Sequence, residues 1–183
     1  MVAYLLYEGL NNMKTAKRSQ PGSGKVIRCR VGPRPKDDDS YFEQMTKVIF
    51  RSGLNWDVIE NKWGNFHKAF AGFSVATVAR FNESDVDRLL EDRGIVRNRR
   101  KVRATIENAQ VFLSIRKEHG SFARYLREIR RDGEAALCRA ITERFSFLGG
   151  STVVFFLRTV GEEMPETIRQ WEAETDESRR KRA

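Results

Sequence analysis

The sequence predicts an all-α domain, and three observations carry that prediction. Apolar residues recur at spacings of three and four along most of the chain, no hairpin dipeptide lies between alternating apolar and polar runs, and no internal repeat is present. The elements follow in order. Asp37-Asp-Asp-Ser40 offers short polar side chains that can cap exposed amides, and Phe42, Met45 and Ile49 behind it mark the first helix. Ile59, Trp63, Phe66 and Phe70 repeat the spacing, with Gly72 as the expected stop. Asn82-Glu-Ser-Asp85 can cap a short helix holding Val86, Leu89 and Leu90, which Gly94 breaks. Val102, Ile106, Ala109 and Leu113 mark a longer amphipathic helix, followed by one with Phe122, Tyr125, Leu126 and Ile129 and one with Leu137, Ala140 and Ile141. Thr152-Val-Val-Phe-Phe-Leu157 has strand propensity, but its length and the lack of any strand partner favour a buried helix.

A chain of 183 residues corresponds to about one domain. Residues 25–171 are expected to form it. Residues 1–24 pass from an apolar start through Lys14-Thr-Ala-Lys-Arg18 to Gln20-Pro-Gly-Ser-Gly24 and read as a flexible extension; residues 172–183 carry mixed charge and read as a mobile tail. With 40% hydrophobic and 32% charged residues the chain has enough apolar mass for a core, which excludes disorder over the full length. Its apolar runs are far too short to cross a bilayer, so a soluble protein without a membrane partner is expected. Cys29 and Cys138 are too few for a disulfide framework, which points to a reducing cytoplasm. The net charge of +9 attracts a polyanion.

Two constellations have the chemistry to meet such a polyanion. Arg97-Asn-Arg-Arg-Lys101, with Arg103 close behind, places cations where they oppose the dipole of the long helix, so either a phosphate backbone favours them or they form a solvated face. Phe147-Leu-Gly-Gly-Ser-Thr152 sets a glycine turn before a helix, leaving amides that can hold a phosphate; the alternative is an ordinary interhelical turn. No lysine follows these glycines, so the turn is not a nucleotide-triphosphate loop. Arg124, Arg127 and Arg131 read as a solvated face. Cys29, Cys138, His67 and His119 show no metal-ligand spacing, His67 reads as a helix-surface residue, and no nucleophile elbow is present.

Five stretches in order carry a resemblance to a known family: Ser52-Gly-Leu-Asn-Trp56, Phe70-Ala-Gly-Phe73, Glu83-Ser-Asp-Val-Asp-Arg-Leu-Leu90, Gly94-Ile-Val-Arg-Asn-Arg-Arg-Lys101 with Ile106-Glu-Asn-Ala109, and Phe145-Ser-Phe-Leu-Gly-Gly-Ser-Thr152. Over residues 27–161 the chain resembles the DNA-3-methyladenine glycosylase I family of the helix-hairpin-helix glycosylase superfamily. The resemblance implies a compact helical domain that rotates a damaged base out of duplex DNA, because its glycosidic bond cannot be reached inside the stack. It implies that Trp56 stacks on the extruded base, that the amides of Leu148, Gly149, Gly150 and Ser151 anchor phosphate, and that Arg97, Arg99, Arg100 and Lys101 position the duplex. The hairpin lacks the lysine of Schiff-base members, which favours a monofunctional glycosylase.

The chain departs from the family at identifiable positions. Val48 stands where a base-reading glutamate is found, so the pocket is expected to be more apolar, with Gln44 and Asn55 as further lining. The tyrosine- and histidine-rich segment after the first cysteine is missing, with Val31 at an aromatic position. Of the family's zinc ligands only Cys29 is kept, with Glu166 near the later histidine, so no metal and no other cofactor is expected. Candidates to replace the lost acid are Glu43 and Gln44, Asp57 beside Trp56, and Glu162, Glu163 and Glu166 beyond the hairpin helix; Asp57 and Glu163 are the chosen catalytic candidates. The expected partner is double-stranded DNA with damaged bases, and the expected form is a monomer in the cytoplasm, associated with the nucleoid. The alternatives are a DNA-binding or lesion-sensing module that has lost catalysis, and a helical protein that binds other proteins.

Overall fold

The computed structural model describes residues 31–164. Cys29, Glu166 and the terminal segments 1–24 and 172–183 lie outside the described residues. Among the described residues the elements are helical, with no strand: α1 (Asp38–Arg51), α2 (Trp56–Ala69), α3 (Val75–Val78), α4 (Glu83–Glu91), α5 (Arg99–His119), α6 (Phe122–Ile129), α7 (Glu134–Arg144) and α8 (Ser151–Thr159).

The acidic run that opens α1 fixes three elements at once. Asp37 caps the helix by accepting from the Ser40 amide at 2.8 Å, Asp38 accepts from the Phe122 amide at the start of α6, and Asp39 from the Val75 amide at the start of α3. Each carboxylate thus satisfies an amide that a helix terminus leaves without an intrahelical partner. In α4, Asn82 and Asp85 form a reciprocal capping box. Asn98 caps α5, whose 21 residues run about 30 Å across the molecule before Gly120, at φ 84, ends it. The second helix stops at Ala69, three residues before the expected glycine; Gly72 instead sits at φ 65 inside a tight 3-10 turn over Ala71–Phe73. α3 is a single turn, too short for any periodicity to show in the sequence.

The core is aromatic. Phe42 meets Phe73 and Phe112 edge-on, and Phe112 continues through Phe122 to Phe156 on α8. Phe42, Phe112, Phe122 and Phe156 are fully buried, each worth about 1.5–3 kcal/mol relative to exposure. The segment with strand propensity is helical because Val153, Phe156 and Leu157 are sealed in the core, where a lone strand would leave its amides and carbonyls without partners. α8 packs on α1 and α7. As a result the last turn of α1 and the first turns of α2, α5 and α8 meet at one end of the domain.

Candidate active site

The short link between α1 and α2 builds the centre of the site. Gly53 takes φ 73, and Asn55 then caps α2 by accepting from the Asp57 amide at 2.8 Å. Trp56 therefore becomes the first residue of α2, 37% exposed, with its indole against Phe155 of α8 at 5.1 Å between ring centroids. The Arg51 guanidinium, from the last turn of α1, lies over the indole with Cζ 4.8 Å from its centroid. Gln44, Val48 and Arg51 recur at four and three along α1 and share one helical face. Val48 is buried and Gln44 half-buried. Asn55, expected to line the pocket, instead has its side-chain oxygen engaged in the cap.

The acids near Trp56 differ in availability. Glu43 accepts from the Trp63 indole nitrogen at 2.8 Å. Glu60, one turn after Trp56 on α2, pairs with Lys47 at 2.8 Å and with Arg51. Asp57 is exposed and has no side-chain partner among the described residues; it follows Trp56 in α2, where consecutive side chains diverge by about 100°. Glu163 does not reach this site, which corrects its choice as a catalytic candidate. Its carbonyl accepts from Arg130 at 2.7 Å, and adjacent Glu162 faces Arg34 and Arg130. Glu162 also bears on Tyr41, near the start of α1, and so lies about 15 Å along that helix from Arg51. The helix α8 carries the chain away from the pocket, a direction that residue spacing does not reveal.

The glycine hairpin opens α8, the helix whose Phe155 packs on the indole. Asn108 of α5 grips Ser146 from both sides, accepting from its amide at 2.8 Å and donating to its carbonyl at 3.1 Å. Leu148 is buried, and its carbonyl accepts from the Thr142 hydroxyl at 2.9 Å, so this residue anchors the turn and has only its amide to offer outward. Gly150 adopts φ 58, ψ −136, a conformation that disfavours a side chain, and no side chain caps α8. Among the described residues the amides of Gly149, Gly150 and Ser151 have no acceptor.

The basic run at the start of α5 divides into three kinds of residue. Arg100 stacks its guanidinium over the ring of exposed Phe147 at 5.5 Å, joining the helix to the hairpin, and Arg97 is exposed without a hydrogen-bond partner among the described residues. Arg99 pairs with Asp87 at 2.9 Å and lies near Glu83, which also takes Arg103 at 2.7 Å, so acids from α4 offset these two cations. Lys101 does not face a duplex, which corrects the expectation for it. It is buried, and its Nζ donates to the carbonyls of Phe50 at 3.2 Å and Ser52 at 2.5 Å. Burial holds its pKa below the ordinary lysine value, and its work is to satisfy carbonyls at the end of α1. Sequence reasoning missed Arg51, Glu60, Asn108 and Phe155; Arg51 had a signal in sharing the face of Val48, Glu60 in lying one turn from Trp56, and Asn108 in falling within Ile106-Glu-Asn-Ala109.

Cys29 and Glu166, the positions that correspond to the family's zinc ligands, lie outside the described residues. Among the described residues no three His, Cys, Asp or Glu side chains are grouped to hold a metal. His119 Nδ1 is 2.6 Å from Glu128, His67 lies edge-on to Phe73, and the Cys138 thiol is pushed up to about 11 by burial, far from the thiolate a metal requires.

Comparison with known proteins bears on the whole arrangement. The profile of the methyladenine glycosylase family matches residues 32–143. The chain is similar to DNA-3-methyladenine glycosylase 1 of Escherichia coli (strain K12), at 29% identity over 144 residues, spanning 68% of this chain and 77% of the relative. It is similar to DNA-3-methyladenine glycosylase of Haemophilus influenzae at 25% identity, spanning 68% and 78%. Among solved structures, a crystal structure of 3-methyladenine DNA glycosylase I superposes with TM-score 0.63 at 26% identity, covering 73% of this chain and 84% of that one. The Staphylococcus aureus enzyme, described for its recognition of 3-methyladenine, gives 0.63 at 27% identity, covering 73% and 81%.

Proposed function

Because the chain belongs to the methyladenine glycosylase family, we propose that it is a monofunctional DNA glycosylase that excises a 3-methyladenine-like alkylated purine in base excision repair. One observation carries this reading: an exposed indole and a row of amides without acceptors stand at the same end of the domain. The amides of Gly149, Gly150 and Ser151 bind a backbone phosphate at the start of α8, with the helix dipole adding to the attraction. Arg97 and Arg100 add contacts that position the duplex without reading its sequence. The damaged nucleotide rotates outward, and its base stacks on Trp56.

Alkylation at N3 makes adenine cationic and a good leaving group. The bond from C1′ to the base breaks, its electron pair neutralises the ring, and water adds to a sugar of oxocarbenium character while releasing a proton. The neighbouring phosphate stabilises the positive sugar, with Asp57, the next residue after Trp56 and without a side-chain partner among the described residues, as the candidate carboxylate. No lysine in the hairpin forms a Schiff base, and Lys101 is engaged with two carbonyls, so water is the nucleophile.

The test is release of free base from alkylated duplex by wild type and Trp56→Ala under single turnover. Loss of the stack is expected to slow release by about 10- to 100-fold while leaving the melting temperature nearly unchanged. Equal release by both proteins rejects the pocket. The second reading, a lesion-sensing module without catalysis, draws on buried Val48 at the acid position. It predicts tight binding to abasic duplex with no release from any substrate.

A further inference from the structure

Three features of the Trp56 pocket have no part in the activity proposed above. Arg51 covers the indole at 4.8 Å; Glu60 holds the guanidinium by one terminal nitrogen while also taking Lys47; and Arg51 Nε is buried with no acceptor. Among the described residues it is the one buried side-chain nitrogen or oxygen without a hydrogen-bond partner. A guanidinium stays charged in any protein setting. On the face of α1 that carries Arg51 nothing offsets an additional cation, because Val48 is apolar, Glu43 is engaged with Trp63, and Glu60 is shared by two cations; Asp57, the remaining acid, starts from a different face of α2 than Trp56.

These groups set a preference by charge. A purine alkylated on a ring nitrogen competes with Arg51 for the same π face and meets its positive charge at close range. An uncharged purine must share that face too but meets no charge repulsion. The second terminal nitrogen of Arg51, which makes no hydrogen bond among the described residues, donates in the guanidinium plane to a carbonyl oxygen on the edge of the base. Resting on the glycosylase reading, we propose that Arg51 is a specificity-determining residue that biases the pocket toward uncharged damaged purines bearing a carbonyl, such as deaminated adenine, without closing it to the cation.

The chemistry of such a substrate uses the same donor. As the bond between C1′ and N9 breaks, its electron pair moves into the base and raises negative charge on the carbonyl oxygen. An Arg51 N–H stabilises that charge, water adds to C1′, and the proton from water ends on the released base. The arginine keeps its own protons throughout.

Wild type, Arg51→Gln and Arg51→Lys are compared on two duplexes of identical sequence, one holding hypoxanthine and one 3-methyladenine, by single-turnover release and by equilibrium binding. Arg51→Gln is expected to shift the release ratio about tenfold toward 3-methyladenine. Arg51→Lys keeps the charge and the pairing with Glu60 but not the planar stack, so it retains discrimination against the cation and loses hypoxanthine release. A release ratio unchanged in Arg51→Gln overturns the inference. If wild type releases neither base, the glycosylase reading fails, and binding then decides the inference. Tighter binding of the hypoxanthine duplex by about tenfold, erased in Arg51→Gln, supports it, and equal affinities overturn it. Thermal melts of both variants confirm that they are folded.

Discussion

The two ends of α5 are built on opposite terms. At its C-terminal end the charges close on one another: Arg144 holds Glu118 through two nitrogens at 2.9 and 3.1 Å, Ser114 donates to Glu118, and Glu128 takes both His119 and Arg124. At its N-terminal end an indole is exposed, three amides lack acceptors, Arg97 lacks a partner and Arg51 Nε is buried without one. Both ends are basic in sequence. Cations are paired at the N-terminal end too, through Arg99, Arg103 and Lys101; what separates the two ends is the hairpin amides and the Arg51 Nε left without acceptors, groups a folded protein ordinarily pairs unless a ligand or water completes them.

The largest effect that sharpens this contrast is expected at Gly150. Gly150→Val has open space for its Cβ but must hold φ 58, so a stability loss of about 1–3 kcal/mol is expected in urea melts. Twisting the hairpin amides away from phosphate is expected to weaken duplex binding by about tenfold or more at low salt. Unchanged affinity in a folded variant breaks the assignment of these amides.

Next comes a pair from one basic run. Lys101→Met leaves two carbonyls unsatisfied and is expected to lower stability by about 1–3 kcal/mol without altering the salt dependence of DNA binding. Arg100→Ala is expected to do the reverse, reducing the slope of log affinity against log salt by about 1 with little change in stability. If Lys101 changes the salt slope and Arg100 does not, the inward and outward assignments are exchanged.

The smallest effect belongs to the closed end. Arg144 and Ser114 hold the Glu118 carboxyl at about 2 against an ordinary 4.5. A carboxyl whose pKa is lowered by folding stabilises the native state in its charged form. That stabilisation is complete above pH 4.5 and is lost as pH falls toward 2. Glu118→Gln is therefore expected to flatten the acid limb of stability, read by urea melts across that window, with base release at neutral pH unchanged. A loss of release in this variant breaks the division between the two ends.

Particular residues show how far the sequence could be read. The caps at Asp37 and Asn82 and the apolar stripes announced their helices, because capping and helical periodicity are properties of neighbours three or four apart. The glycine turn before α8 was visible in the sequence as a turn, whereas the roles of the hairpin and Trp56 came from the family resemblance and not from local spacing. Lys101 was not, since whether a lysine points outward or into the gap at the end of another helix depends on residues 49 and 51 positions away. Glu163 failed because the direction of α8 carries it toward Arg130, and Arg51 went unseen because its meeting with Trp56 requires the tight turn between α1 and α2.

By itself the sequence determined the all-helical class, the basic character and the glycine turn before α8, which follow from short-range spacing and composition, while the role of the indole came through the family resemblance. Only the tertiary structure decided which charges are used up inside the fold, that Glu43 and Glu60 are engaged, and which cation lies on the indole. Those outcomes depend on contacts between distant segments, and burial and pairing, which set the strength of any charge, exist only once the helices have packed.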